Sequence, residues 1–296
     1  MLNDPNALNA QYALTSGLTF SPGNGGLTRA QIDTDACRAE VYLHGGHVTQ
    51  WKPVGHDQVL WLSQRAVFDG QKAIRGGIPV CFPWFANNKP ADQPDAPAHG
   101  HARTQLWDVL ETREADGHVQ LTLGTTINDY ALTYRIRFGQ SLDLALAVTN
   151  RADTEQTFEE ALHTYFTISQ IRRIKLTGLE GARYLHTVGG ANTLHTQGDS
   201  PITFAGETDR VYRSAQTVVL HDPDLQRSIH ISKTHSDATV VWNPWSDKAK
   251  AMSDLGEDEW PGMVCVESAN ITPSAVTLAP GATHTMTTTL RAQTLA

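Results

Sequence analysis

Residues 142–149 read Leu-Asp-Leu-Ala-Leu-Ala-Val-Thr, and that order decides the fold class. Leu142, Leu144, Leu146 and Val148 alternate with Asp143, Ala145, Ala147 and Thr149. A period of two places the large aliphatic side chains on one face of an extended strand and the small or polar ones on the other, which describes a half-buried strand. The pattern recurs at Val119, Leu121 and Leu123, set against Gln120 and Thr122. Working outward, strand-like runs fall at 40–53, 58–63 (QVLWLS), 106–114, 133–139, 156–168 (QTFEEALHTYFTI), 218–222, 228–232, 239–245, 263–271 (MVCVESANI) and 284–292. Turn residues separate nearly all of them, and few stretches carry a helical period. The expectation is an all-β chain, a large antiparallel β-sandwich with few short helices. We read a single domain over 1–296, with 1–20 as an N-terminal extension and 87–98 (NNKPADQPDAPA) as one long loop of the kind that carries or covers a site.

Of the 296 residues 40% are hydrophobic and 18% charged, which provides a core and argues against disorder. The formal charge of −8 disfavours nucleic acid as a partner. A small phosphorylated ligand is still compatible if arginines or lysines cluster locally. The first 20 residues lack a basic region followed by an apolar run, and no 18-residue apolar stretch occurs, so neither a secretory signal nor a membrane partner is expected. A cytoplasmic monomer is the default. Cys37, Cys81 and Cys265 are odd in number and widely spaced among apolar neighbours, which suits buried free thiols. A nucleophilic role for Cys81 or Cys265 is the lesser alternative.

Four segments concentrate chemistry. AIRGGIPVCFPWF, 73–85, mixes Arg75 with Gly-Gly, two prolines and three aromatics and is no ordinary helix or central strand. It is either an apolar loop with Arg75 at its solvent edge or a rigid wall in which Arg75 meets an anion beside Phe82, Trp84 or Phe85. PAHGHAR, 97–103, offers His99, His101 and Arg103. No third ligand follows at Thr104, Gln105 or Leu106, so no metal is expected. FEEALHTYF, 158–166, read as one strand, aligns Glu159, Ala161, His163 and Tyr165 on one face. His163 is a core or surface histidine, or a general acid or base, since imidazole titrates near neutrality. Glu267 alternates with Cys265 and Ala269 in an apolar strand, where a carboxylate must be paired, hydrogen-bonded or set in a cleft. It is a structural ion pair or a catalytic base.

Taken in series, HGGHVTQWKP, IRGGIPVCFPWF, PAHGHAR, ALHTYF, ETDRVY and VCVES resemble the hexose-6-phosphate mutarotase (glucose-6-phosphate 1-epimerase) branch of the aldose 1-epimerase, galactose mutarotase-like superfamily. The resemblance implies a twisted β-sandwich holding a sugar, an isomerase without cofactor, and His163 and Glu267 as the acid/base pair. It implies Arg75 and Arg103 as ligands of the sugar phosphate and Asp209 as a partner of sugar hydroxyls, with His99 lining the same pocket. The branch often carries a polar residue just before the His-Gly dipeptide, where this chain has Ala98. Mutarotation itself needs one base, to take the proton of the anomeric hydroxyl, and one acid, to protonate the ring oxygen. Three other readings stand beside it. They are a mutarotase of unphosphorylated aldoses, a non-catalytic sugar-phosphate binder, and a lyase or hydrolase in which Glu159 or Glu160 supplies a second carboxylate.

Overall fold

The computed structural model describes residues 4–115 and 117–295. Two eight-stranded antiparallel sheets dominate it. The supporting sheet runs, from edge to edge, through Lys175–Thr177, Val218–Asp222, Arg227–Thr234, Thr283–Thr294, Ser141–Asn150, Tyr130–Phe138, His118–Ile127 and Asp108–Ala115. The strand whose alternation was read first lies inside it. Leu144 sits opposite Ile136 and Thr288, and Leu146 opposite Tyr134 and Met286. The four alternating aliphatic side chains of Ser141–Asn150 are at most 1% exposed.

The second, site-bearing sheet runs through Thr193–Thr196, Arg183–His186, Thr208–Arg213, Ala238–Asn243, Met263–Asn270, Glu160–Leu162 and Val80–Cys81, with Tyr165–Thr167 also paired to Met263–Asn270. Val264 and Val266 join Leu144 and Leu146 in one core shared by the two sheets. On the opposite side of the same strand Ala269 joins Cys81, Phe85, Ala161 and Val240 in a smaller apolar cluster. Every residue of Met263–Asn270 is therefore buried. A four-stranded sheet, Leu18–Pro22, Thr28–Asp33, Cys37–Tyr42 and His47–Pro53, completes the N-terminal part. Ahead of it the helix Pro5–Tyr12 buries Leu8, and the Asn9 side chain bonds both the N–H and the carbonyl of Phe20 at 2.7 Å.

Three expected strands take other forms. Residues 40–53 fold back on themselves at Leu43–Gly46, where a Cβ on Gly45 (φ 79°) would lie 2.6 Å from the Arg103 carbonyl. Residues 58–63 form only isolated bridges, at Leu60 and Leu62. The run 156–168 is broken into Gln156–Phe158, Glu160–Leu162 and Tyr165–Thr167. The breaks fall where the chain meets the proline-bearing segment. The Glu159 N–H donates to the Pro83 carbonyl at 2.9 Å and the His163 N–H to the Pro79 carbonyl at 3.0 Å. Prolines have no N–H to continue a ladder, so the backbone leaves regular pairing there. The segment 73–85 supplies only the two-residue edge strand Val80–Cys81, and Cys37, Cys81 and Cys265 are buried free thiols.

An ion pair joins the sheets. His284 Nε2 on Thr283–Thr294 lies 3.0 Å from Glu160 Oε1, which also accepts from Asn270 Nδ2 at 2.9 Å. The bond to Glu160 raises the His284 pKa above 6.5, against the opposing effect of burial. A raised folded-state value means that this contribution to stability is fully present below the unfolded-state value and fades as pH climbs through the folded one. The gap in melting midpoint between the wild type and His284→Gln is therefore expected to be widest in mildly acidic buffer and to narrow towards alkaline pH. A gap that grows with pH in thermal melts would contradict the pairing.

Candidate active site

A cavity of about 690 Å³ opens on the site-bearing sheet, and Arg75, His99, Arg103, His163, Asp209 and Glu267 all line it. Six residues drawn from five separated segments thus meet in one place. Glu267 lies at the floor, 1% exposed, on the central strand Met263–Asn270 opposite Val240. Neither carboxylate oxygen has a hydrogen-bond partner. His163 approaches it, with Nε2 3.5 Å from Oε1. Burial, reinforced by Asp209, pushes the Glu267 carboxyl well above the usual carboxylate range.

His163 sits where the broken strand bends towards Pro79 rather than in a regular strand. Its ring stacks on Tyr165 (centroids 4.8 Å apart, planes at 14°) and meets Trp242 edge-on at 6.0 Å. Burial, then the nearby His99, Arg75 and Arg103, holds the imidazole well below its ordinary value. The isolated preferences of the pair are thus a protonated carboxyl and a neutral imidazole. Moving that proton from Glu267 to His163 makes an ion pair, and either arrangement contains one proton.

His99 is fixed differently. Its backbone is left-handed (φ 63°), and the adjoining Gly100 (φ 74°) lies so close to the Phe82 carbonyl that a Cβ would come within 2.0 Å of it. The turn aims the ring so that Nδ1 accepts the Ala86 N–H at 3.2 Å. Burial lowers the His99 pKa to about 3. A neutral imidazole that accepts at Nδ1 carries its proton on Nε2, so His99 is a hydrogen-bond donor.

The cations are oriented by fixed partners. Arg75 donates through Nε and Nη2 to Asp254 Oδ2 (3.2 and 3.0 Å) and through Nη1 to the Tyr165 hydroxyl (2.9 Å), leaving further N–H groups on both terminal nitrogens. Arg103 Nη2 donates to the Ala98 carbonyl at 2.7 Å, while its Nε has no partner. Position 98 therefore acts through its backbone, and the alanine side chain is no obstacle. Lys248, a third cation of the cavity, bonds Glu207 at 3.0 Å and lies 3.9 Å from Asp209, whose carboxyl burial raises above its ordinary range. His101 turns away and meets Trp84 edge-on at 5.0 Å. Of the three aromatics in 73–85, Phe85 faces the cavity. Phe82 is buried in the main core and the Trp84 indole N–H donates to the Pro97 carbonyl.

Several contributors carried no readable signal. Lys248 and Asp254 stand in a polar run between Trp245 and Trp260, and nothing local distinguishes them from surface charges. Trp242 and Thr272 are likewise legible only once the strands are placed. Tyr165 shares the expected face with His163, the one available hint. Glu159 and Glu160 do not line the cavity. Glu160 belongs to the inter-sheet pair, and Glu159 accepts from the Phe85 N–H (2.9 Å), from Asn88 Nδ2 (3.1 and 3.2 Å) and from the N–H and hydroxyl of Thr272 (2.7 and 2.5 Å).

The architecture is that of the galactose mutarotase-like sandwiches. A galactose mutarotase-like protein from Clostridium acetobutylicum superposes with a TM-score of 0.71 over 94% of this chain and 98% of its own, at 12% identity. The chain belongs to the aldose 1-epimerase family, whose family model matches residues 29–291, and is an isomerase of that family. A protein of Cenchrus ciliaris, provisionally named glucose-6-phosphate 1-epimerase, is 36% identical over 264 residues, 83% of this chain and 78% of its own length. The Escherichia coli protein of the same provisional name is 35% identical over 248 residues, 80% of this chain and 81% of its own. The crystal structure of YeaD from Salmonella typhimurium, provisionally a mutarotase, superposes with a TM-score of 0.87 at 30% identity, covering 98% of this chain and 99% of its own.

Glu159 ties the loop that carries Phe85, Ala86 and Asn88 to the neighbouring Thr272 at the edge of the cavity. Removing its carboxylate leaves the buried Phe85 N–H unsatisfied, a cost of about 1–3 kcal/mol. Glu159→Ala should lower the unfolding free energy by that amount in urea titrations. No measurable loss would mean that the clamp is not formed.

Proposed function

We propose that this chain interconverts the α and β anomers of a hexose 6-phosphate, glucose 6-phosphate foremost, by proton exchange between the sugar and the His163–Glu267 pair. The observation that carries this reading is the 3.5 Å approach of two buried, otherwise unpartnered proton carriers on the floor of a cavity that also holds Arg75, Arg103 and Lys248. The provisional names of the Cenchrus and Escherichia coli relatives support the phosphorylated substrate.

In the ring-opening step one member of the pair takes the proton of the C1 hydroxyl while the other gives its proton to the ring oxygen. The C1–O5 bond breaks and C1 becomes an aldehyde. Rotation about C1–C2 presents the other carbonyl face, and the same transfers run backwards to close the ring. Family resemblance assigns Glu267 as the base in opening and His163 as the acid, so the catalytic proton arrangement is imidazolium beside carboxylate. Substrate binding brings the polar sugar against the pair and favours that ionic arrangement over the resting neutral one. After either half-cycle the pair again contains one proton, so no external acid or base is consumed. Arg75 and Arg103 bind the phosphate and fix the far end of the sugar, Asp209 accepts from sugar hydroxyls, and His99 donates through Nε2. No helix of the described residues is long and apolar enough to cross a membrane, and we place the reaction in the cytoplasm, in keeping with three free buried thiols.

Polarimetry of freshly dissolved α-glucose 6-phosphate, run beside free glucose and galactose, tests the reading. The expected result is acceleration of the phosphate sugar, with Arg103→Ala raising its KM about tenfold or more. Equal acceleration of free sugars, unchanged in an Arg75→Ala/Arg103→Ala double variant, would move the protein to the unphosphorylated aldoses. Glu267→Gln and His163→Ala should each lower kcat by about a hundredfold or more while circular dichroism stays native. Full turnover in both would remove the pair from the mechanism. Because burial resists a second proton on His163 and resists loss of the proton from Glu267, kcat should stay level through the ordinary imidazole range. A single inflection of kcat near the free histidine value would contradict the shared proton.

A further inference from the structure

Cys265 precedes Glu267 by two residues on the same strand and so shares its face. A donor atom from each of Cys265, Glu267 and His163 lies within 4.8 Å of the others, and all three residues are buried. Tetrahedral coordination by sulfur, imidazole nitrogen and carboxylate oxygen sets donors about 3.3–3.8 Å apart. The His163–Glu267 separation of 3.5 Å already matches, so a small inward adjustment at Cys265 completes the set. The second, independent sign of a ligand is that both Glu267 oxygens are buried on the cavity floor without hydrogen-bond partners. A carboxylate left so exposed to its own desolvation gains more from a cation than one already bonded.

We propose that His163, Cys265 and Glu267 form a binding site for a thiophilic divalent cation of the Zn2+ or Cd2+ type, which silences the enzyme by occupying its proton-transfer pair. The inhibition rests on the functional reading above, whereas the binding does not. On coordination the metal forms one bond each to sulfur, nitrogen and oxygen. The Cys265 thiol proton and the single proton of the His163–Glu267 pair leave to the buffer, and no electron is transferred. His163 and Glu267 line the cavity, which leaves a fourth position to water or the sugar. Hard cations such as Mg2+ disfavour a thiolate and an imidazole and are excluded by the donor set.

The test uses the full-length protein with Zn2+, Cd2+ and Co2+ as probes and Mg2+ as control. Zn2+ and Cd2+ should inhibit anomer exchange at micromolar concentration, competitively with the sugar phosphate and reversibly with chelator, while Mg2+ has no effect. The Co2+ complex should show a near-ultraviolet thiolate-to-metal absorption that Cys265→Ser abolishes, and the same variant should keep its basal exchange while losing about tenfold or more of its Zn2+ sensitivity. A wild-type Co2+ complex without thiolate absorption overturns the site whether or not any variant folds, as does undiminished inhibition of Cys265→Ser. Thiolate absorption that is lost in Cys265→Ser, with exchange unaffected by bound metal, would keep the site and overturn the catalytic assignment instead.

Discussion

A carboxyl group in the middle of a strand that is buried on both faces, with neither oxygen hydrogen-bonded, is the constraint from which the rest of this protein's chemistry follows. An ionised carboxylate at that depth costs several kcal/mol unless a positive charge stands beside it. Glu267 therefore keeps a proton or shares one with His163, 3.5 Å away. The stacked Tyr165, the edge-on Trp242 and Phe85 hold the imidazole in a water-poor setting, where a one-proton pair is stable against gaining or losing charge. The site keeps groups of shifted affinity next to each other, which is what the proposed proton transfer to a sugar requires.

The two sheets divide the work. The supporting sheet is regular, with long strands and clean alternation, and it contributes the large shared core. The site-bearing sheet is irregular where the chemistry is. The run 156–168 that feeds it breaks to reach carbonyls in a proline-bearing segment, and one of those breaks releases His163 from regular pairing. The histidine turn at 99–100 and the Gly45 contact place a second imidazole and Arg103 by close backbone approach, which side chains at those positions would block. Glu159 then bonds the segment of Phe85 and Asn88 to Thr272 beside the cavity.

Much of this was legible in the sequence. Alternation from Leu142 to Val148 and from Val119 to Leu123 reports burial of one strand face directly, so the antiparallel all-β class could be read off. Glu267 was conspicuous because a carboxylate in an apolar strand needs a physical reason. Arg75, His99, Arg103 and His163 stood out in segments of unusual composition, with their roles and Asp209 coming through motif resemblance, and the fold brings all five side chains into one cavity. What stayed hidden depends on distant partners. The break at His163 requires Pro79 to lie across from it, Lys248 reaches the cavity from the short helix Trp245–Lys250, and Asp254 matters only because Arg75 comes to lie against it. Periodicity carries no record of such meetings, and it read 58–63 as a strand although those residues only bridge neighbours.

The proton content of the His163–Glu267 pair is the most direct test of the account. Nitrogen-15 NMR of the His163 ring and carbon-13 NMR of the Glu267 carboxyl, followed through neutral pH without substrate, would count it. A single proton held between the two groups across that range is expected, with a neutral imidazole beside a protonated carboxyl. A bare carboxylate beside a neutral imidazole would leave the pair without its proton and contradict the mechanism.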